Sequence, residues 1–474
     1  MRPVPSRAAL AVLIFPETAA ILVAVSTAVF ATREALEAEI SRLGVDIRLE
    51  PDIQASLTPI AIGSRTAGNR FAIHPMEGCD GTLEGAPDEL TIRRWGRFAG
   101  GGAKLLWGEA VAIEPDARAN TRQLLLSEQN LPALEQLIAF ARREHGPGAD
   151  NCLIGLQLTH SGRWSYPTPV VLFHDPALRN NGRILTDAEL DRLQDRYVAA
   201  ALRARDIGVD FVDIKQCHRY LLSEMLAART RPGKYGGSLE NRTRFVREIL
   251  ARLASEAPTL IRATRMNFVD GVPFAKDPAT GAGRPVPGAS ENYLDLDEAL
   301  AALRIYRDAG LQLVNATAGC PYFNPHIGRP ADREPPDGYA APEPGLVGVE
   351  RHFRLAEEAQ RACPEIPVVG TGYSYLRHFA VEAGEANLRA GRVALVGLGR
   401  GAIAYPDFAR DVRMDKRKAC ITVSYCTTLM RAKGNELGQY AAGCVPRDPV
   451  YARLLQVIQK DAKQKAVLPP ATGE

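Results

Sequence analysis

Eight short apolar runs, each bounded by glycine, proline or asparagine, alternate with longer helical stretches along most of the chain. The runs are FAIHPM (71–76), KLLWGEAVAI (104–113), CLIGLQLTH (152–160), FVDIK (211–215), TLIRATRMN (259–267), LQLVNATA (311–318), IPVVGTG (366–372) and VALVGLG (393–399). Runs of this length and composition read as strands. Helical periodicity is legible at 88–99, 131–144, 187–206, 240–255, 293–309, 349–362 and 376–390. Thr186 with Glu189 three residues on has capping-box spacing, and Ser238 caps the next helix. Strict alternation predicts an α/β protein, an eight-stranded (β/α)8 TIM barrel. A doubly wound sheet would carry a glycine-rich turn after its first strand, and HPMEGCDG is not G-x-G-x-x-G.

The 474 residues carry 58 basic and 55 acidic side chains, a net charge of +3, which gives no domain-wide bias towards nucleic acid. Eight scattered cysteines fit a reducing compartment rather than a disulfide scaffold. Residues 8–31 are very apolar but broken by Pro16 and Glu17, and an acid in the middle of a span is costly. They read as a signal core, a membrane anchor or a helix packed on the domain, so membrane association by the N-terminus stays open. The expected compartment is the cytoplasm. The chain divides into an N-terminal extension (1–56), the barrel (57–415) and a C-terminal tail packing on the barrel (416–474).

Chemistry in such a barrel sits at the C-terminal ends of the strands. FVDIK continues into QCHRYL, so Lys215, His218 and Tyr220 leave the fourth strand into that end. Glu77, Glu109, Ala110, Gln157, His160, Arg265, Asn267, Asn315 and Thr317 occupy comparable places on the other strands. The proline-rich stretch 319–346 is too long for a mere connector and reads as a lid or pocket wall. The turns GTGYS and GLGRG let backbone N–H groups approach an anion, and Arg400 adds a fork of charged donors. A phosphate site after the seventh and eighth strands is a recurring barrel feature.

Four segments, in this order, carry a resemblance: LTPIAIGSRTAGNRFAIHPM, GLQLTHSGR, KYGGSLENRTRF and VGLGRGAIAYPDF. Over roughly residues 57–415 the chain resembles the old yellow enzyme family of FMN-dependent NADH:flavin oxidoreductases. The resemblance implies backbone contacts to the flavin from Pro75 and Met76, with Ala110 near the ring and Gln157 on its pyrimidine edge. It implies positive charge near the reduced ring from Arg265, and phosphate contacts from Gly372, Gly399 and Arg400. Lys215 and His218 would bind an electron-withdrawing oxygen of the substrate, and Tyr220 would donate a proton. Lys215 stands where the family usually has histidine, Arg219 replaces a glycine, and Glu77 replaces cysteine or threonine and joins the substrate-binding set.

The implied reaction is hydride transfer between NADH or NADPH, FMN and an activated C=C or carbonyl-type substrate, in either direction. The expected partner is a small molecule, with no nucleic acid; homo-oligomerisation stays open. The tail segment CITVSYCTTLMRAKGNELGQYAAGC offers three cysteines at spacing that suits no metal, so neither an iron–sulfur cluster nor any other metal is expected. Two rival readings remain at this point: a flavin-free lyase or aldolase using Lys215 as a Schiff-base amine, and a non-catalytic, membrane-tethered binding barrel.

Overall fold

The computed structural model describes residues 29–467 except 179–180, 288–292, 336 and 433, and side chains only as far as residue 460. The apolar stretch 8–28 therefore lies outside the described residues. Eight parallel strands close into a barrel in chain order: β1 (Phe71–Ile73), β2 (Leu105–Ala112), β3 (Leu153–Thr159), β4 (Phe211–Ile214), β5 (Ile261–Asn267), β6 (Leu313–Thr317), β7 (Val368–Gly370) and β8 (Leu395–Leu398). The helices that return the chain are α1 (Glu89–Gly100), α2 (Leu131–His145), α3 (Asp187–Asp206), α4 (Leu239–Glu256), α5 (Leu296–Asp308), α6 (Gly345–Ala362), α7 (Ala380–Arg389) and the short α8 (Arg400–Ala404). The expected capping box closes α3, with Thr186 and Glu189 each bonding the other's backbone N–H. Ser238 accepts from Asn241 N at 3.3 Å to cap α4.

Two cores follow from the pleat. Outward-facing strand residues pack under the helices. Inward-facing residues at the strand starts, among them Ala72, Leu105, Trp107, Leu153, Phe211, Ile261, Leu313 and Leu395, form a separate inner cluster. An antiparallel hairpin (Ile60–Ile62 with Arg65–Ala67) adds Ile62 and Ala67 to it and closes the barrel floor. Side chains alternate faces along a strand. Every second residue therefore rises from this floor towards the open end: Phe211, Asp213, Lys215 on β4; Ile261, Ala263, Arg265 on β5; Leu313, Asn315, Thr317 on β6. The floor is apolar and the upper layers are polar, which fixes where chemistry can occur.

Segments outside the barrel pack on it. A helix (Arg33–Leu43) buries Leu36 and Ile40 in the main core, and Phe30 meets Tyr375 edge-on at 5.6 Å. In the C-terminal segment Asp448 accepts from Arg93 at 2.8 Å and Arg97 at 2.7 Å on α1. Thr422 Oγ1 donates to Asp332 at 2.5 Å. Among the described residues no helix is long and apolar enough to cross a membrane.

Candidate active site

A cavity of about 230 Å3 opens at the C-terminal ends of the strands. Pro75, Met76, Glu77, Ala110, Gln157, Lys215, His218, Tyr220, Arg265, Gly372, Gly399 and Arg400 all line it. Five other strand-end residues do not. Glu109 turns outward and accepts from Arg94 Nη2 at 2.8 Å and Trp95 Nε1 at 3.0 Å on α1. The cause is a register shift between Trp107 and Ala110, which turns Ala110 inward in its place. His160 accepts from Gly162 N at 3.1 Å, and Asn267 bonds Asp270 at 2.7 Å; both pin loops. Asn315 and Thr317 support cavity residues from below: Asn315 Nδ2 lies 2.9 Å from His74 Nδ1, and Thr317 Oγ1 is 3.4 Å from Arg265 Nη2.

The exit of β1 is set from behind. Arg94 Nη1 donates to the Met76 carbonyl at 3.1 Å while Arg94 is held by Asp80 at 2.8 Å. That places Pro75, Met76 and Glu77 along one wall. In the barrel interior Asp213 accepts from Gln157 Nε2 at 2.5 Å, Trp107 Nε1 at 2.8 Å and Arg265 N at 2.7 Å. Gln157 is thus oriented, with its carbonyl Oε1 left for a ligand N–H. Arg262 occupies the outward parity of β5 and bonds Gly310 O at 2.7 Å, so Arg265 is the cavity arginine.

The turn after β4 is the most constrained part of the site. His218 and Arg219 both adopt left-handed backbone, with φ of 65° and 56°. Non-glycine residues at such angles are uncommon and cost of order 1–3 kcal/mol each unless the surroundings over-determine them. They do so here. The Arg219 guanidinium is fully buried between Asp175 at 3.1 Å and Asp270 at 3.4 Å. Trp164 Nε1 bonds the Arg219 carbonyl at 3.1 Å, Asn267 accepts from His218 N at 3.3 Å, and Cys320 Sγ bonds the His218 carbonyl at 3.2 Å. This clamp presents Lys215, His218 and Tyr220 together.

Lys215 is 4% exposed, with Nζ 3.5 Å from the centroid of the Tyr220 ring. Burial lowers its pKa from the usual lysine value. Glu77 does not pair with it directly; it accepts from Asn120 Nδ2 at 2.6 Å, and burial raises its pKa despite the nearby Lys215 charge. His218 is pushed well below the ordinary histidine range by burial, then by Arg265 and Lys215, so its imidazole is neutral at pH 7. Burial pushes the Tyr220 phenol well above its ordinary value, keeping it protonated. Its hydroxyl lies 2.9 Å from that of Tyr322, which is 42% exposed and stacks on Trp164 at 4.0 Å.

Sequence reasoning missed several lining residues. Tyr322, Arg329 and Pro330 come from the segment after β6, so that stretch is a wall of the cavity. Its length and proline content were the signal. Cys426, Thr427 and Met430 come from the C-terminal segment, where nothing in the sequence pointed inward. His74 also lines the cavity, held between Asn315 and Thr371 Oγ1 at 3.1 Å.

Residues 57–269 match the model of the NADH:flavin oxidoreductase / NADH oxidase family. Over that stretch the chain is similar to that family. An NADH oxidase of Thermoanaerobacter brockii is 27% identical over 379 residues, which is 76% of this chain and 51% of that protein. This chain therefore spans about half the length of that relative. An NADPH dehydrogenase of Bacillus subtilis is 24% identical over 74% of this chain and 92% of its own length. The old yellow enzyme homologue of Zymomonas mobilis shares the fold, with a TM-score of 0.54 at 21% identity over 76% of this chain and 92% of that one.

FMN is the cofactor of the NADH:flavin oxidoreductases, and the cavity residues fit it. Arg265 Nε and Arg400 Nη1 are buried with no hydrogen-bond partner among the described residues. Such donors call for a polar or anionic ligand. Gly399 leaves room beside Met76 that a Cβ would close to 2.9 Å from the sulfur, and Gly372 has φ of 101°, which glycine alone adopts freely.

Proposed function

We propose that this chain is an FMN-dependent oxidoreductase that passes hydride between NADH or NADPH and a small molecule carrying a C=C bond conjugated to an oxygen function. The observation that carries this reading is the meeting, in one cavity, of unmatched cationic donors, a neutral imidazole and a protonated phenol. FMN, when bound, supplies the hydride acceptor and donor. The rest falls to the residues of this chain.

Pro75, Met76 and Ala110 would form the wall beside a bound flavin ring, and Gln157 would hold it through a hydrogen bond. Arg265 stabilises negative charge on the ring edge. Gly372, Gly399 and Arg400 bind the phosphate. Lys215 and His218 bind the substrate oxygen, the lysine ammonium stabilising charge as it develops there. In the reducing direction hydride adds to the β-carbon and the Tyr220 hydroxyl gives its proton to the α-carbon. The phenolate recovers a proton through the hydroxyl of Tyr322, a partly exposed residue. In the oxidising direction the same groups act in reverse. Glu77 binds a polar group of the substrate and tunes the charge of Lys215. Eight unpaired cysteines favour a reducing compartment, and we assign the enzyme to the cytoplasm on that ground.

Anaerobic stopped-flow tests the reading. Mixing with NADH or NADPH bleaches a flavin band, and a conjugated acceptor restores it. Protein that carries no flavin and takes up none overturns the proposal.

A further inference from the structure

Arg329, from the wall segment after β6, lines the same cavity as Arg400. Its Nη1 donates to Thr427 Oγ1, while Nη2 reaches Glu334 Oε2 only at 3.5 Å. Its Nε is buried without a partner among the described residues. Arg400 is in the same condition: Nη2 takes the Pro330 carbonyl at 2.5 Å, next door to Arg329, and Nη1 has no partner. The two guanidinium groups are thus tied into one corner of the cavity. Burial lowers the pKa of Arg329, and the charges of Arg400 and Arg431 add to that effect. Glu334 partly offsets them, being the largest charge effect on Arg329 and raising its pKa, while its own Oε1 has no partner among the described residues.

Two half-buried guanidinium groups, each with a buried nitrogen that lacks an acceptor among the described residues, make an arrangement that an anion with several oxygens completes. We infer that Arg329 is a second phosphate-binding residue, which with Arg400 holds the phosphate monoester dianion of the flavin. This rests on the proposed FMN reading and extends it to a residue outside the glycine turns. It also brings the C-terminal segment into the cofactor site, since Thr427 fixes the orientation of Arg329.

The test uses holoenzyme equilibrated with mixtures of FMN and riboflavin, which differ only in the phosphate, with the bound ratio read after denaturation. Wild type favours FMN. Arg329→Ala and the closer-fitting Arg329→Gln are expected to lower that preference by about 10- to 100-fold. Arg329→Lys restores part of it, and Thr427→Val loses a smaller part. Equal loss of both flavins would make Arg329 structural and overturn the inference, as would an unchanged preference. A variant that keeps its FMN preference but loses discrimination between NADPH and NADH would assign the phosphate to the nicotinamide nucleotide, and that too overturns it. Wild type that binds neither flavin would sink the parent reading before Arg329 is reached.

Discussion

The Lys215 ammonium nitrogen stands 3.5 Å above the centre of the Tyr220 ring, while the hydroxyl of the same ring meets Tyr322 at 2.9 Å. The group proposed to bind substrate charge is therefore held by the face of the group proposed to move the proton. A desolvated cation over an aromatic face gains about 2 kcal/mol. That contact orients an amine that otherwise has only the cavity before it.

Removing the lysine charge should affect one half-reaction. Lys215→Met is expected to slow flavin oxidation by a conjugated acceptor by about 100- to 1000-fold, the size of effect seen when an electrostatic stabiliser is lost. Reduction by the nicotinamide should change by no more than a few-fold. Burial lowers the Lys215 pKa, so the ammonium form is lost as pH rises, before the ordinary lysine value is reached. The wild-type oxidative rate should fall over that alkaline range, and the variant should lack this limb. Stopped-flow rates against pH check both.

Tyr220→Phe is expected to slow reduction of a C=C acceptor by about 100- to 10,000-fold through loss of the proton donor. Oxidation of the flavin by an acceptor that needs no carbon protonation should be spared. Tyr322→Phe, which breaks only the link to solvent, should have the smaller effect. Equal effects on both acceptors would make Tyr220 a packing residue.

Arg219 carries a stability prediction. Arg219→Ala strands the buried carboxylates of Asp175 and Asp270 and should cost about 3–5 kcal/mol in urea unfolding. Arg219→Gly relaxes the left-handed backbone and should lose less. Stability unchanged within about 0.5 kcal/mol in the alanine variant would show that the clamp does not hold the turn.

Much of this arrangement was legible in the sequence because strand and helix periods differ. The alternation of strands and helices predicted the barrel, and the strand ends predicted a shared cavity that takes in Lys215, His218 and Tyr220. What failed did so for local reasons. A register shift on β2 exchanges Glu109 for Ala110, and no period-two reading anticipates it. Arg329 follows a one-turn helix (Pro325–Gly328) and Thr427 sits in a two-turn helix (Tyr425–Arg431), 98 residues apart in sequence and too short for their periodicity to show. The burial of Phe30 and Leu36 against the barrel depends on long-range packing that an apolar run alone does not specify.

His160 makes stability depend on pH. Burial pushes His160 down to about 3, with Arg196 adding to the effect. Unfolded histidine titrates near 6.5. Between these values the unfolded chain binds one more proton at this position, so the contribution to stability is lost as pH falls. The slope is about 1.4 kcal/mol per pH unit. His160→Gln should remove that slope. Unfolding free energies at pH 6.5 and 5 should therefore differ by about 2 kcal/mol more in wild type than in the variant. Parallel pH dependences would mean that His160 is not held neutral.

The most direct test of the central claim is the visible spectrum of the purified protein before and after anaerobic addition of NADPH or NADH. The account predicts a bound flavin band that bleaches with the nicotinamide, and release of FMN, not riboflavin or FAD, on denaturation. A colourless protein that stays colourless after incubation with FMN would contradict it.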